Sequence, residues 1–200
     1  MIAILDYGSG NLRSALRAFE TTGRKVTLTS DPDVAINAAG LVVPGVGAFA
    51  SCMQGLLAVS GEQIIRHRIA SGKAVFGICV GLQILFENGT EYQNTDGVGA
   101  VEGTVEKLPA QVLPHMGWNT VRLEGNSTLF KGVAEASFYF VHSYGVLNVG
   151  KQRFDAAAFT DYEGEFLAAF EKGPITATQF HPEKSGAAGL KLIQNWVNSL

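Results

Sequence analysis

Over the first ninety residues, short apolar runs alternate with stretches of helical periodicity. Residues 2–5 are uninterruptedly apolar, as in a strand buried on both faces. They pass through the turn Asp6-Tyr7-Gly8-Ser9-Gly10 into a helix with Leu12, Ala15, Leu16 and Phe19 at helical spacing, for which Gly23 supplies a stop. Residues 26–29 are β-rich, and Asp31-Pro32 reads as an N-cap followed by proline at the first helical position. Leu41, Val42 and Val43 form a third buried strand, broken by Pro44-Gly45-Val46-Gly47. A helical region follows to about Ser71, in two pieces divided at Ser60-Gly61. A fourth apolar strand ends at Cys79, with a helix expected from there to about Asn88. Strands alternating with helices predict a parallel sheet covered on both faces, an α/β fold.

After Gly89 the pattern changes. Turn signals cluster at Thr95-Asp96-Gly97, Gly99 and Gly103, and residues 101–108, 120–123, 138–141, 156–159, 166–170 and 175–180 read as strands. Few helical patterns intervene, so this half is expected to be antiparallel or mixed. An amphipathic helix over residues 185–200, with Leu190, Ile193, Trp196 and Val197 on one face, closes the chain. No linker, low-complexity segment or repeat divides it, and residues 1–200 are expected to form a single domain.

Composition narrows the function classes. With 200 residues, 46% apolar and 16% charged, the chain can bury a core without staples and is no disordered segment. A net charge of −3 gives no reason to expect nucleic acid or an anionic membrane as partner. Two cysteines, Cys52 and Cys79, make no disulfide framework and suit a reducing compartment. No basic leader precedes the first apolar run, and no stretch is long enough to cross a bilayer. The Asn126-Ser127-Thr128 sequon then reads as accidental, and a soluble cytoplasmic protein is expected. No Cys/His spacing matches a metal site.

The candidate chemistry lies at strand ends. Gly77-Ile78-Cys79-Val80-Gly81 puts a thiol on a tight strand-to-helix turn, where a helix dipole and free N–H groups favour a thiolate. Flanking glycines would clear side chains from both sides, as in a nucleophile elbow. A cysteine in an apolar strand also reads as a small core residue, and this motif alone leaves both roles open. Pro44-Gly45-Val46-Gly47 follows strand three as Cys79 follows strand four, so a parallel sheet carries both at its carboxyl edge. That loop could bring a backbone N–H to a substrate oxygen, with the N–H of Val80 as the second donor of an oxyanion hole, or be an ordinary turn. His181-Pro182-Glu183 follows the last strand and could supply a base with the carboxylate that fixes its tautomer, or a surface histidine and a helix-start glutamate. Gly8-Ser9-Gly10-Asn11-Leu12-Arg13 begins like a dinucleotide fingerprint, but Arg13 stands where the third glycine belongs, so a surface turn or interface loop is expected. His67 falls on a polar helix face, whereas His115 and His142 read as core or ligand-lining.

Together, Gly77-Ile78-Cys79-Val80-Gly81-Leu82-Gln83 and His181-Pro182-Glu183 resemble the class I (triad) glutamine amidotransferases. Asp6-Tyr7-Gly8-Ser9-Gly10-Asn11, Pro44-Gly45-Val46-Gly47, Pro114-His115-Met116-Gly117-Trp118-Asn119, Tyr139-Phe140-Val141-His142-Ser143-Tyr144 and His181-Pro182-Glu183-Lys184-Ser185-Gly186 are similar to the branch of glutaminase subunits that serve imidazole glycerol phosphate synthase. Val80 and Leu82 depart from the leucine and methionine often found there. The resemblance spans essentially the whole chain and implies a three-layer fold with a central, mostly parallel sheet and a mixed or antiparallel second half.

It also implies roles. Cys79 would attack the side-chain amide of glutamine to give a γ-glutamyl thioester and ammonia, with His181 as base and then acid, and Glu183 orienting it. The N–H groups of Val46 and Val80 would bind the oxyanion. Gly45, Gln83, Glu91, Ser143 and Tyr144 would line the glutamine pocket, Glu91 facing the α-amino group. The ammonia would pass to a (β/α)8-barrel cyclase subunit in a heterodimer serving histidine biosynthesis, and no cofactor or metal is implied. Asn11, Trp118 and Lys184 would be partner or gating contacts, a buried core aromatic being the competing reading of Trp118. A glutaminase serving pyridoxal phosphate synthesis would carry a Gly-Gly-Glu-Ser-Thr type loop in place of Pro44-Gly45-Val46-Gly47-Ala48-Phe49. A lone peptidase or γ-glutamyl hydrolase, and an inactive interaction domain, are the other readings; the second has no need of Cys79, His181 and Glu183 together.

Overall fold

The computed structural model describes all 200 residues. The first half runs β1 (Ile2–Leu5), α1 (Leu12–Glu20), β2 (Val26–Thr29), α2 (Pro32–Asn37), β3 (Gly40–Gly45), α3 (Phe49–Ala58), α4 (Gly61–Ala70), β4 (Ala74–Cys79) and α5 (Val80–Gln83). The second half is almost all strand: β5 (Phe86–Gly89), β6 (Thr95–Asp96), β7 (Val101–Lys107), β8 (His115–Thr120), β9 (Arg122–Gly125), β10 (Ser137–His142), β11 (Tyr144–Gly145), β12 (Ala156–Asp161), β13 (Glu165–Lys172) and β14 (Ile175–Thr178). A tight helical turn at Pro182–Lys184 leads into α6 (Gly186–Asn198).

An eight-stranded sheet in the order β2-β1-β3-β4-β14-β13-β12-β9 spans both halves. From β2 to β14 the pairs are parallel, and beyond β14 they are antiparallel. The apolar runs read from the sequence as buried strands are so: every residue of β1 and β3 is buried, and β14, though it alternates Ile175-Thr176-Ala177-Thr178, is buried throughout as well. On one face α1 and α6 meet, and the rings of Phe19, Phe76 and Trp196 pack at centroid separations of 5.2–6.0 Å. Helix α4 contacts both α2 and α3 in the other helical layer. Two smaller sheets, β10-β8 and β11-β7-β5-β6, complete the fold.

Two expectations are corrected. Strand three is not broken at Pro44 but continues to Gly45. Pro44 pairs with Ile78 of β4 while β1 has already ended beside Val42, and the Pro44 carbonyl turns outward to accept from Tyr7 Oη at 2.6 Å. The missing N–H faces the same side, so no ladder bond is lost. The helix after Cys79 does not reach Asn88; it is the four residues of α5, and Phe86–Gly89 is instead strand β5. Pairing of β5 with β7 and β6 outweighs the local helical pattern, and Gly89 is required there because a Cβ would meet the Phe49 ring at 2.7 Å.

Candidate active site

Strands β3, β4 and β14 are neighbours at the middle of the sheet, and their carboxyl ends bring Val46, Cys79 and His181 to one edge. Cys79 holds φ 57° and ψ −114°, a conformation a non-glycine residue rarely adopts and one that costs about 1–3 kcal/mol. The flanking glycines act differently from the simple clearing of space around sulfur. A Cβ on Gly77 would meet the Gly81 carbonyl oxygen at 2.5 Å, and a Cβ on Gly81 would fall on the Val43 carbonyl oxygen. They let the turn fold back onto β3 and β4, and that closure forces the cysteine's geometry. With α5 only four residues long, little helix dipole acts on the Cys79 sulfur, because a macrodipole needs several aligned turns. Local N–H groups of the elbow remain.

His181 lies beside Cys79, both almost fully buried at 2% and 3% exposure. Its Nδ1 stands 2.7 Å from Glu183 Oε1, so Nδ1–H donates to the carboxylate and Nε2 is left to face the thiol. His181 Nε2 and Glu183 Oε2 have no hydrogen-bond partner. Burial alone would lower the pKa of His181, but Cys79 and Glu183 outweigh it and push it up to about 10. The turn is pinned from β10: His181 N–H donates to the Tyr139 carbonyl at 2.9 Å, Tyr139 N–H to Ser185 Oγ at 3.0 Å, and Ser185 Oγ to the His181 carbonyl at 2.6 Å. Proline between base and carboxylate stiffens a pair already fixed at three points.

These groups open into a cleft of about 320 Å³, the scale of a small-molecule site. Of the residues singled out in the sequence, Val46, Val80, Gln83, Glu91, Ser143, Tyr144 and Lys184 line it together with Cys79 and His181. Glu91 Oε2 accepts the Phe49 N–H at 2.9 Å, which anchors a carboxylate at one end. Gln83 Nε2 donates to the Tyr144 carbonyl at 2.8 Å and to Gln179 Oε1 at 3.0 Å. Four further lining residues, Gly47, Pro114, Val141 and His142, lay outside the expected set, although His142 had stood open as core or ligand-lining.

Other expected residues are elsewhere. Glu183 stands behind His181, and Gly45 is sealed beneath the floor, where a Cβ would meet Gly81 N at 2.7 Å and Tyr7 Oη at 2.9 Å. Asn11 caps α1, its side chain accepting from Ser14 N–H at 3.3 Å. Trp118 is not a core aromatic: it is 58% exposed on β8, close to exposed Met116. Val46 differs most from expectation. Its N–H donates to Ser9 Oγ at 3.1 Å, and Ser9 Oγ donates back to the Val46 carbonyl at 2.8 Å. Cys52 Sγ lies 3.3 Å from the same carbonyl. In this state the Val46 N–H is turned to Ser9 and not offered to a substrate. Ser9 and Gln179 make polar contacts that the sequence did not assign: Ser9 lay within the Gly8-Ser9-Gly10 turn with no role of its own, and Gln179 just before His181-Pro182-Glu183.

A buried thiol beside an imidazole that a carboxylate orients can attack an acyl carbon and protonate an amine leaving group. The family model "Glutamine amidotransferase class-I" matches residues 3–199. The chain belongs to the class I glutamine amidotransferases. "Imidazole glycerol phosphate synthase subunit HisH" of Nocardia farcinica is 55% identical over 206 residues, covering 100% of this chain and 98% of that protein. The protein of the same description from Renibacterium salmoninarum is 53% identical, covering 100% and 94%. Among solved structures, one described as "Crystal structure of glutamine amidotransferase" superposes with a TM-score of 0.77 at 18% identity, covering 98% of this chain and 97% of that one. PurLQS from Thermotoga maritima gives 0.75 at 19% identity, covering 99% and 97%. At such identities these structures speak for the shared amidotransferase fold. No group of three or more His, Cys, Asp or Glu side chains is placed to hold a metal ion, and no helix is long and apolar enough to cross a membrane.

Proposed function

We propose that this amidotransferase hydrolyses glutamine through Cys79, His181 and Glu183 and passes the ammonia to a (β/α)8-barrel cyclase subunit. In this reading Sγ attacks the side-chain amide carbon of glutamine, the carbonyl electrons move to oxygen, and His181 holds the thiol proton. Collapse expels the amine, which takes that proton from Nε2 and leaves as ammonia. Water then attacks the γ-glutamyl thioester with His181 as base, releasing glutamate and restoring the thiol. Glu183 keeps Nε2 facing the reacting atoms through the 2.7 Å contact to Nδ1. The observation that carries the reading is the meeting of a strained cysteine with an imidazole whose Nε2 has no other partner, at the wall of one cleft.

Gln83, Ser143 and Tyr144 supply the polar wall of the glutamine site, Glu91 its anionic end for the α-amino group, and Gly45 the close-packed floor. The N–H of Val80 is one oxyanion donor. That of Val46 becomes the second only by exchanging Ser9 for the oxyanion, so the isolated chain turns over slowly until a partner favours the exchange. Met116 and Trp118, exposed at 63% and 58%, together with Asn11 and Lys184, make the partner-facing surface. The sealed transfer has a chemical reason: free ammonia near neutral pH is mostly ammonium, which cannot act as a nucleophile. The relatives' description as HisH subunits of imidazole glycerol phosphate synthase supports histidine biosynthesis, and with it a cytoplasmic heterodimer in which residues 1–200 act as one catalytic domain.

The test is a synthesis assay on the complex. Cys79→Ala should abolish glutamine-dependent product formation while added ammonia still supports it. Loss of both activities would contradict the assigned role.

A further inference from the structure

We propose that Gln179 is a positioning residue for the nucleophile, its side-chain amide directed at the Cys79 sulfur by a hydrogen-bonded chain that starts at the Tyr144 carbonyl. The inference rests on the reading of Cys79 as nucleophile. Gln179 follows β14 and precedes His181 by two residues, so one strand end delivers both the base and this amide. Its exposure is 0%, and its backbone N–H is fixed to the Ala168 carbonyl at 2.8 Å. A fully buried primary amide needs partners for both of its ends.

The chain determines which end faces which partner. A peptide carbonyl has no proton to give, so the Gln83 atom 2.8 Å from Tyr144 O must be the NH₂ nitrogen. The second proton of that nitrogen points to Gln179 at 3.0 Å, and the Gln179 atom receiving it must be the carbonyl oxygen. That leaves the Gln179 NH₂ facing Cys79 Sγ, at 3.8 Å, within the longer reach of a sulfur acceptor. Reversing the Gln83 amide would set its oxygen against two carbonyl oxygens, and reversing the Gln179 amide would set two donors against each other and turn an oxygen lone pair toward the sulfur. The polarity therefore follows from the carbonyl and not from how the amide ends are assigned.

A donor at this place favours sulfur as an anion, both when it attacks and when the thioester breaks. His181 also faces the sulfur, so the negative charge that develops on sulfur during the reaction is met by both an imidazolium and an amide N–H. Gln179 also supports the pocket, because its oxygen holds the Gln83 amide that lines the cleft. Two substitutions separate these roles. Gln179→Glu retains an acceptor for Gln83 and removes the donor to sulfur, whereas Gln179→Met removes both.

The experiment is iodoacetamide alkylation of Cys79 in the isolated chain across a pH series, with Cys52 resolved by peptide mass analysis and neither glutamine nor partner present. Gln179→Met is expected to slow Cys79 alkylation about 10-fold at pH 7, with the difference closing at alkaline pH where thiols ionise unaided. Gln179→Glu is expected to slow it at least as much, and it carries the test should the methionine variant not fold. Profiles that superimpose on the unsubstituted chain, even with glutamine turnover impaired, would confine Gln179 to shaping the pocket and overturn the proposal. Cys79 in the unsubstituted chain reacting no faster than Cys52 at pH 7 would instead remove the nucleophile reading beneath it.

Discussion

The parallel sheet carries a buried polar cluster at each edge, and the two are built in opposite ways. At the amino edge Arg68 is fully buried with no carboxylate beside it. Its Nη1 donates to the carbonyls of Ala35, Ile36 and Ala38 at 2.8–3.0 Å, and Nη2 to those of Ala39 and Ala74 at 3.4 and 2.8 Å. Lys73 Nζ adds a bond to Ile36 O at 3.0 Å. One guanidinium thus satisfies the end of α2 and the approaches to β3 and β4, in place of solvent or caps. At the carboxyl edge the donors and acceptors are left short: His181 Nε2 and Glu183 Oε2 are unpaired, and Cys79 is strained. Equal burial serves anchoring at one edge and, on the proposed mechanism, chemistry at the other. At the carboxyl edge a strained cysteine and an unpaired imidazole nitrogen stand together at one cleft, whereas at the amino edge only Nε of the Arg68 guanidinium lacks a partner.

Substitutions can break that contrast. The largest effect is expected from Cys79→Ala, which should reduce glutamate release by at least about 10³-fold while leaving the denaturant midpoint unchanged or higher. A fall in stability would mean that the elbow is structural after all. Arg68→Met should do the reverse, lowering unfolding free energy by about 3 kcal/mol or more because five carbonyls lose this donor and Lys73 Nζ remains only to Ile36, with turnover per folded molecule unchanged. Loss of turnover without loss of stability would remove the distinction between the edges.

A pH series sharpens the comparison on the catalytic side. His142, buried behind the cleft wall, has its pKa lowered to about 3 by burial, with the neighbouring His115 and His181 adding to the shift. The unfolded chain binds a proton at this residue below about pH 6.5 that the folded chain refuses until about pH 3. Its neutral form therefore contributes stability above that range that is lost as pH falls through it, by up to about 1.4 kcal/mol per pH unit. Urea unfolding at several pH values should show that slope, and His142→Gln should remove it; an unaltered slope would assign the acid sensitivity elsewhere. The smallest effect concerns Ser9. Replacing it with alanine frees the Val46 peptide from a bond worth about 1 kcal/mol, and basal glutamine hydrolysis by the isolated chain should rise several-fold. No rise would mean that Ser9 does not hold the oxyanion loop back.

What the sequence disclosed follows the physics of each element. β1, β3 and β4 were legible because strands covered on both faces are continuously apolar, and β14 because Ile175-Thr176-Ala177-Thr178 is β-rich though alternating; their order placed Cys79, His181 and Glu183 at one edge. β8 was not legible because its alternation runs backwards: His115 is buried while Met116 and Trp118 are exposed. A buried histidine is tolerated there because it stacks on Phe140 and Tyr162, at centroid distances of 4.9 and 4.1 Å. β5 was hidden because residues 80–86 are apolar apart from Gln83, a pattern that periodicity alone cannot divide between helix and strand. Arg68, Ser9 and Gln179 take their roles from partners far along the chain, and a hydrogen bond between residues 37 or 96 positions apart leaves no local mark.

The central claim is that Cys79, and no other group, forms the covalent bond to glutamine. Reaction with diazo-oxo-norleucine, a glutamine-like electrophile, followed by peptide mass analysis, tests it most directly. One adduct is predicted, on Cys79, with glutamine hydrolysis lost in proportion and Cys52 unmodified. An adduct on Cys52, or hydrolysis that continues after Cys79 is fully labelled, would contradict it.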